Sequence, residues 1–160
     1  ARPFLGLCLG HQLLADALGG RCGHQQPPEI GVLEVTLTPE GLKDSIFAGM
    51  PTVQRALQWH SVQVVEPPDG AVVLATSDQC QVQAMRVGRH AWSMQYHVEV
   101  EPDTVPTWGT VPAYRAALES TLGPTALAGL AADAEHHMDD FVANAKQLYD
   151  NFANAVRQAT

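Results

Sequence analysis

The chain has 160 residues, 46% of them hydrophobic, with nine basic against 17 acidic side chains and a formal charge of -8. That length suffices for one domain with its own core, and an acidic chain with no basic patch or arginine-rich arm argues against a nucleic-acid partner. No apolar run reaches membrane-spanning length, no signal-peptide pattern opens the chain, and the three cysteines, at no metal-ligand spacing, fit a reduced, cytoplasmic setting without a metal.

An apolar run of strand length, Pro3 to Leu7, leads into Cys8, which is flanked by Gly6 and Gly10. A helical pattern follows, with Leu13, Leu14, Ala17 and Leu18 on one face and Gly19-Gly20 closing it. Strand, sharp turn at a nucleophile, helix: this is the nucleophile-elbow order, with cysteine in place of serine. A thiol at the positive end of a helix is favoured as thiolate, the nucleophilic form. The elbow strand begins within three residues of Ala1, so the expectation is a single domain over 1–160 that lacks an N-terminal part of its sheet.

Next, Gln25-Gln26-Pro27-Pro28 reads as a turn, and Cys22 before it as a structural thiol at the start of a short strand. Gly31 to Thr38 reads as a strand, Pro39 to Met50 as a short helix or turn, and Gln54 to Val65 as two strand-like runs broken by Trp59-His60-Ser61. Ala71 to Thr76 is a strand, and Cys80 sits near a loop. Gln81 to Val87 and Ala91 to Tyr96, joined at Gly88-Arg89, make a hairpin. After an irregular stretch marked by Pro102, Pro106, Gly109 and Pro112 come helical patterns at Ala113 to Thr121 and Ala126 to Ala131. Asp133 to Arg157 is the clearest helix: Phe141, Ala145, Leu148, Phe152 and Val156 recur at three- and four-residue steps. Trp59, Trp92 and Trp108 are core or site walls, and His136-His137 belongs to a solvated polar face.

Cysteine hydrolases need a base and a group that orients it. His97 and Glu99 stand two apart at the end of a strand-like run and so face one side. The other six histidines, His11, His24, His60, His90, His136 and His137, compete for the role of base.

Gly6-Leu7-Cys8-Leu9-Gly10-His11-Gln12, then Trp59-His60-Ser61-Val62-Gln63-Val64, Cys80 to Arg86 and Gln95-Tyr96-His97-Val98-Glu99, resembles the class I glutamine amidotransferase family in order and spacing, closest to its free-standing, GMP-synthase-like members. The resemblance spans Pro3 to about Glu99. It implies an α/β fold, a doubly wound, flavodoxin-like, mostly parallel sheet with C-terminal helices. It also implies a Cys-His-Glu triad of Cys8, His97 and Glu99. Leu9 would lend a backbone N–H to the oxyanion hole, Gln12 would contact the bound glutamine, and Ser61 and Val62 would meet its α-amino and α-carboxylate end. The implied reaction is hydrolysis of the glutamine side-chain amide through a cysteine thioester, without metal or cofactor, giving glutamate and ammonia for a synthetase partner. A γ-glutamyl peptidase-type thiol hydrolase and a non-catalytic interaction module are the alternatives on the same fold. Three features depart from the family pattern. Val98 replaces a usual proline, and Val62 stands where an acid is common. The family's glycine-rich oxyanion loop, which precedes the elbow strand, does not occur in this chain. With one oxyanion donor missing, the chain alone is expected to turn over little glutamine.

Overall fold

The computed structural model describes residues 2–159. Six strands form one sheet: β1 (Phe4–Leu7), β2 (Arg21–Leu37), β3 (Val53–Glu66), β4 (Ala71–Thr76), β5 (Ala84–Val87) and β6 (Ala91–Met94), in the order β1-β6-β5-β4-β2-β3. Helix α1 (Leu9–Ala17) follows β1, and α2 (Thr104–Trp108), α3 (Pro112–Leu122), α4 (Ala126–His136) and α5 (Met138–Gln158) close the chain.

The mixed α/β architecture and C-terminal helices match the expectation. Strand direction differs from the expected mostly parallel pattern. Among the described residues, β1 and β6 pair in parallel and every other neighbouring pair is antiparallel. Short connections impose this: β5 and β6 are joined by a tight turn through Gly88, at φ 61, and a parallel return would need a long crossover.

β2 runs through the Gln25–Pro28 segment expected as a turn. The ladder shifts register between His24, opposite Val62, and Glu29, opposite His60, so the proline pair sits in a bulge where missing N–H groups cost little. β3 likewise continues through Trp59-His60-Ser61, because β2 pairs with it there and His60 has buried polar partners. α2 occupies part of the stretch expected to be irregular, and the long C-terminal helix begins at Met138 after a break at His137.

α5 packs Leu148, Phe152 and Ala155 against the sheet core of Leu37, Leu74, Trp92 and Met94 and against Ile46 and Phe47 in a pair of 3-10 turns. α2, α3, α4 and the start of α5 cover Ile30, Val32, Leu57 and Trp59 with Val105, Leu118, Leu130 and Phe141. Ala15 of α1 meets Val64, Val82 and Met85. Burying a leucine such as Leu118 or Leu148 contributes roughly 1.5–3 kcal/mol. Asn151 fixes α5 by donating to the carbonyls of Ile46 and Ala48, both at 2.9 Å. Among the described residues no helix is long and apolar enough to cross a membrane.

Candidate active site

Cys8 stands between β1 and α1 at φ 46, ψ -101, a conformation that costs a residue with a side chain about 1–3 kcal/mol. The surrounding backbone holds it there. Its N–H donates to the Met94 carbonyl at 2.8 Å, and its carbonyl accepts the His11 and Gln12 N–H groups at 3.0 and 3.2 Å. The close packing explains Gly6: a Cβ there would lie 2.7 Å from the Gly10 carbonyl carbon and oxygen. The Leu9 and Gly10 N–H groups lie in the first helical turn, where a helix offers no acceptor of its own. The Leu9 side chain is exposed.

β6 ends beside the elbow, and the chain then carries His97 to β3, where its N–H donates to the Leu57 carbonyl at 3.0 Å. His97 Nδ1 meets Glu99 Oε1 at 2.7 Å, and the Cys8 side chain is its other hydrogen-bond partner. Trp108 stands edge-on to the imidazole, with ring centroids 4.5 Å apart. Burial pulls the His97 pKa down, but the hydrogen bonds and charges of Cys8 and Glu99 outweigh it and raise the value to about 9. Glu99 is likewise pushed up by burial, yet the His97 hydrogen bond and charge hold it below its ordinary range. The Val98 N–H donates to Glu99 Oε2 at 3.0 Å, a contact that proline at this position could not make.

A second chain of hydrogen bonds reaches the sulfur. Gln95 Nε2 lies 3.7 Å from Cys8 Sγ, and Gln95 Oε1 accepts from Gln12 Nε2 at 3.2 Å. The same Gln12 nitrogen donates to the Val62 carbonyl at 3.0 Å, so both Gln12 amide hydrogens are committed. Cys8, His97, Glu99, Gln12 and the Val62 backbone thus converge. Ser61 joins them only through the chain: its side chain is exposed, beside a cleft of about 220 Å³ lined by Ile30, Trp59 and Tyr114.

The competing histidines divide by surroundings. His11 is fully buried, with Nδ1 2.8 Å from Ser93 Oγ and Nε2 3.0 Å from the Val82 carbonyl. Burial lowers its pKa to about 4, so it is a neutral clamp between α1 and the sheet. His60 is buried on Glu29. Cys80, near a loop as expected, is buried with its thiol pushed up to about 12 by desolvation, and Cys22 is raised by burial and by the Asp16 charge. Gln95, Glu29 and the role of His60 escaped the sequence reading. Gln95 lay within the His97 motif without an assigned role. Glu29 carries no local signal, since its partners are far along the chain.

The family model for class-I glutamine amidotransferases matches residues 1–107. The chain belongs to the class I glutamine amidotransferase family. One of the subunits of the glutamine-hydrolyzing GMP synthase of Sulfurisphaera tokodaii is 38% identical over 102 residues, 63% of this chain and 53% of that protein. The Thermococcus kodakarensis protein of the same name is 37% identical over 99 residues, covering 61% and 51%. A glutamine amidotransferase structure from Thermotoga maritima superposes with a TM-score of 0.79 at 28% identity, covering 94% of this chain and 62% of that one. One from Methylobacillus flagellatus, at 23% identity and a TM-score of 0.73, shares the fold. The chain spans about half the length of the curated relatives it matches. The residues that match the family model include both the elbow and the His97 segment.

Proposed function

We propose that this amidotransferase domain hydrolyses the side-chain amide of glutamine, with Cys8 as nucleophile, His97 as general acid and base and Glu99 as the group that orients His97. The observation that carries the reading is the hydrogen-bonded line Cys8–His97–Glu99 at a strained elbow. Cys8 thiolate attacks the amide carbon, and the Leu9 N–H receives the oxyanion. Protonated His97 gives its proton to the leaving nitrogen, the C–N bond breaks and ammonia departs. The glutamyl thioester is then attacked by water as neutral His97 takes the water proton. The C–S bond breaks, glutamate leaves, and the thiolate–imidazolium pair is restored. Gln12 and the Ser61–Val62 segment line the wall for the rest of the substrate.

The relatives are named as subunits of glutamine-hydrolyzing GMP synthases, which supports passage of the ammonia to a synthetase partner. A γ-glutamyl bond other than that of glutamine is the second reading. Glutamate release from glutamine and from γ-glutamyl peptides, measured with and without a synthetase partner, separates the two. Cys8→Ala is expected to abolish release while circular dichroism stays unchanged. Release that survives Cys8→Ala would overturn the assignment, and cleavage of γ-glutamyl peptides alone would establish the second reading.

A further inference from the structure

Behind the Cys8 site lies a buried polar cluster that the hydrolysis scheme does not use. Glu29 and His60 are both sealed from solvent, with Glu29 Oε2 3.0 Å from His60 Nε2. The Gln58 Oε1 oxygen faces the same His60 nitrogen at 3.1 Å. On its other side, His60 Nδ1 lies 3.0 Å from the Val62 carbonyl. Each ring nitrogen therefore faces acceptors, and each needs its own hydrogen. The rest of the cluster supplies the balancing charge. The Glu29 oxygens otherwise meet donors: Ser77 Oγ at 2.9 Å on Oε1, and Gln83 Nε2 at 3.1 and 3.0 Å on the two oxygens. Turning the Gln58 amide over would aim its nitrogen at His60 Nε2. The carboxylate oxygen beside that nitrogen would then face a bare lone pair or, with Glu29 protonated, its O–H would compete with the Gln58 N–H for that one lone pair.

We propose that Glu29 and His60 form a buried carboxylate–imidazolium pair that positions the wall of the Cys8 site. Glu29 keeps the second proton on His60, and His60 Nδ1–H fixes the Val62 carbonyl. Gln12 hangs from that same carbonyl, Gln95 from Gln12, and Gln95 Nε2 reaches the sulfur. Both are positioning residues, and neither meets the reacting atoms. The backbone is shaped for the contact. The β2 bulge places Gln25–Pro28 opposite Ser61 and returns Glu29 to the ladder directly across from His60. Bulges re-aim side chains in this way next to active sites. A carboxylate buried among a histidine, a serine and a glutamine is costly unless the pairing serves a fixed geometry, and the geometry fixed here is that of the Ser61–Val62 segment.

The kinetic half of the inference rests on glutamine hydrolysis at Cys8; the protonation half does not. Nitrogen-15 NMR of histidine-labelled protein, with His60 assigned from the spectrum of His60→Gln, reads the ring directly at neutral pH, where an unpaired histidine is mostly neutral. Two protonated nitrogens are expected. A single protonated nitrogen in the unaltered protein overturns the pair without recourse to any variant, whether or not glutamine is turned over. In folded Glu29→Gln, His60 is expected to lose the second proton. KM for glutamine is expected to rise about tenfold, the size of one charge-assisted hydrogen bond, with kcat within about twofold. Ser77→Ala disturbs the same cluster but keeps the carboxylate, so His60 is expected to stay doubly protonated with KM near that of the unaltered protein. Unchanged KM in folded Glu29→Gln, or a KM rise in Ser77→Ala equal to that of Glu29→Gln, refutes the positioning role.

Discussion

His97 and His11 are two buried histidines beside the elbow, and their pKa values move apart. His97 rises to about 9 and His11 falls to about 4. Burial acts on both in the same direction, against the charged ring. Partners make the difference. His97 has the Glu99 carboxylate at 2.7 Å and the Cys8 sulfur, which reward a positive ring. His11 has a serine hydroxyl and a carbonyl, which a neutral ring with one N–H and one lone pair satisfies completely. Hydrogen-bonding potential is met at both sites, but only one can store and return a proton near neutrality. That contrast singles out His97, where residue type and burial alone would not.

The largest effect that tests the contrast is on turnover. His97→Gln removes the proton carrier and is expected to lower glutamine hydrolysis by about 10²–10⁴. His11→Gln is expected to lower it only through stability. Equal losses of kcat in well-folded samples of the two variants would erase the distinction.

Thiol reactivity comes next. Cys8 is half-buried beside an imidazolium, whereas Cys80 is sealed with its thiol pushed up to about 12 and Cys22 is raised by burial and by Asp16. Timed iodoacetamide labelling with peptide mass mapping is expected to modify Cys8 first and Cys80 only on unfolding, since the thiolate is the reacting form. In His97→Gln the Cys8 rate should fall toward that of Cys22. Equal labelling of the three cysteines in the folded protein would show that His97 does not activate the thiol.

The two histidines also carry opposite pH signatures in stability. The folded His11 value lies below the ordinary 6.5, so its contribution is complete above 6.5 and is lost as pH falls toward about 4. It amounts to about 3 kcal/mol. The folded His97 value lies above 6.5, so its contribution is complete below 6.5 and fades as pH rises through about 9. Denaturant melts across this range should show an acid limb that shrinks in His11→Gln and an alkaline limb that shrinks in His97→Gln. The reverse assignment of the limbs would invalidate the partner argument.

How far the sequence foretold this site depends on how local each signal was. Cys8 was legible because the elbow is written in consecutive residues, a strand, glycines and a helix face. The His97–Glu99 contact was legible because two residues on an extended segment share a side. The β5–β6 hairpin and most of α5 were legible from turn chemistry and apolar period. The prolines of β2 misled because a bulge tolerates what a regular ladder does not. His60 was read as a strand break because its compensation comes from Glu29, distant in sequence. The position of Cys80 near a loop is legible, but its burial is not, because a thiol's burial depends on what packs over it. The strand directions follow from which hairpins close, and a run of apolar residues does not state its neighbour.

The smallest effect concerns Val98, where the family pattern has proline. The Val98 N–H is the donor that holds Glu99 Oε2, while Oε1 serves His97. Val98→Pro deletes that donor and fixes φ near the value the ring demands. Glu99 then keeps the imidazole on one oxygen, and its other oxygen, half open to solvent, finds water. Loss of one hydrogen bond to a charged group at an exposed position, offset by a stiffer turn, is expected to cost about 1 kcal/mol or less. The sharper readout is the alkaline limb of the pH–rate profile. With Glu99 less well anchored, the His97 proton is held less firmly, and the limb should move toward neutrality while kcat on the plateau changes by about threefold or less. A limb that stays in place in Val98→Pro would show that the Val98 N–H contributes nothing to holding Glu99 on His97, and that Nδ1 alone anchors the carboxylate.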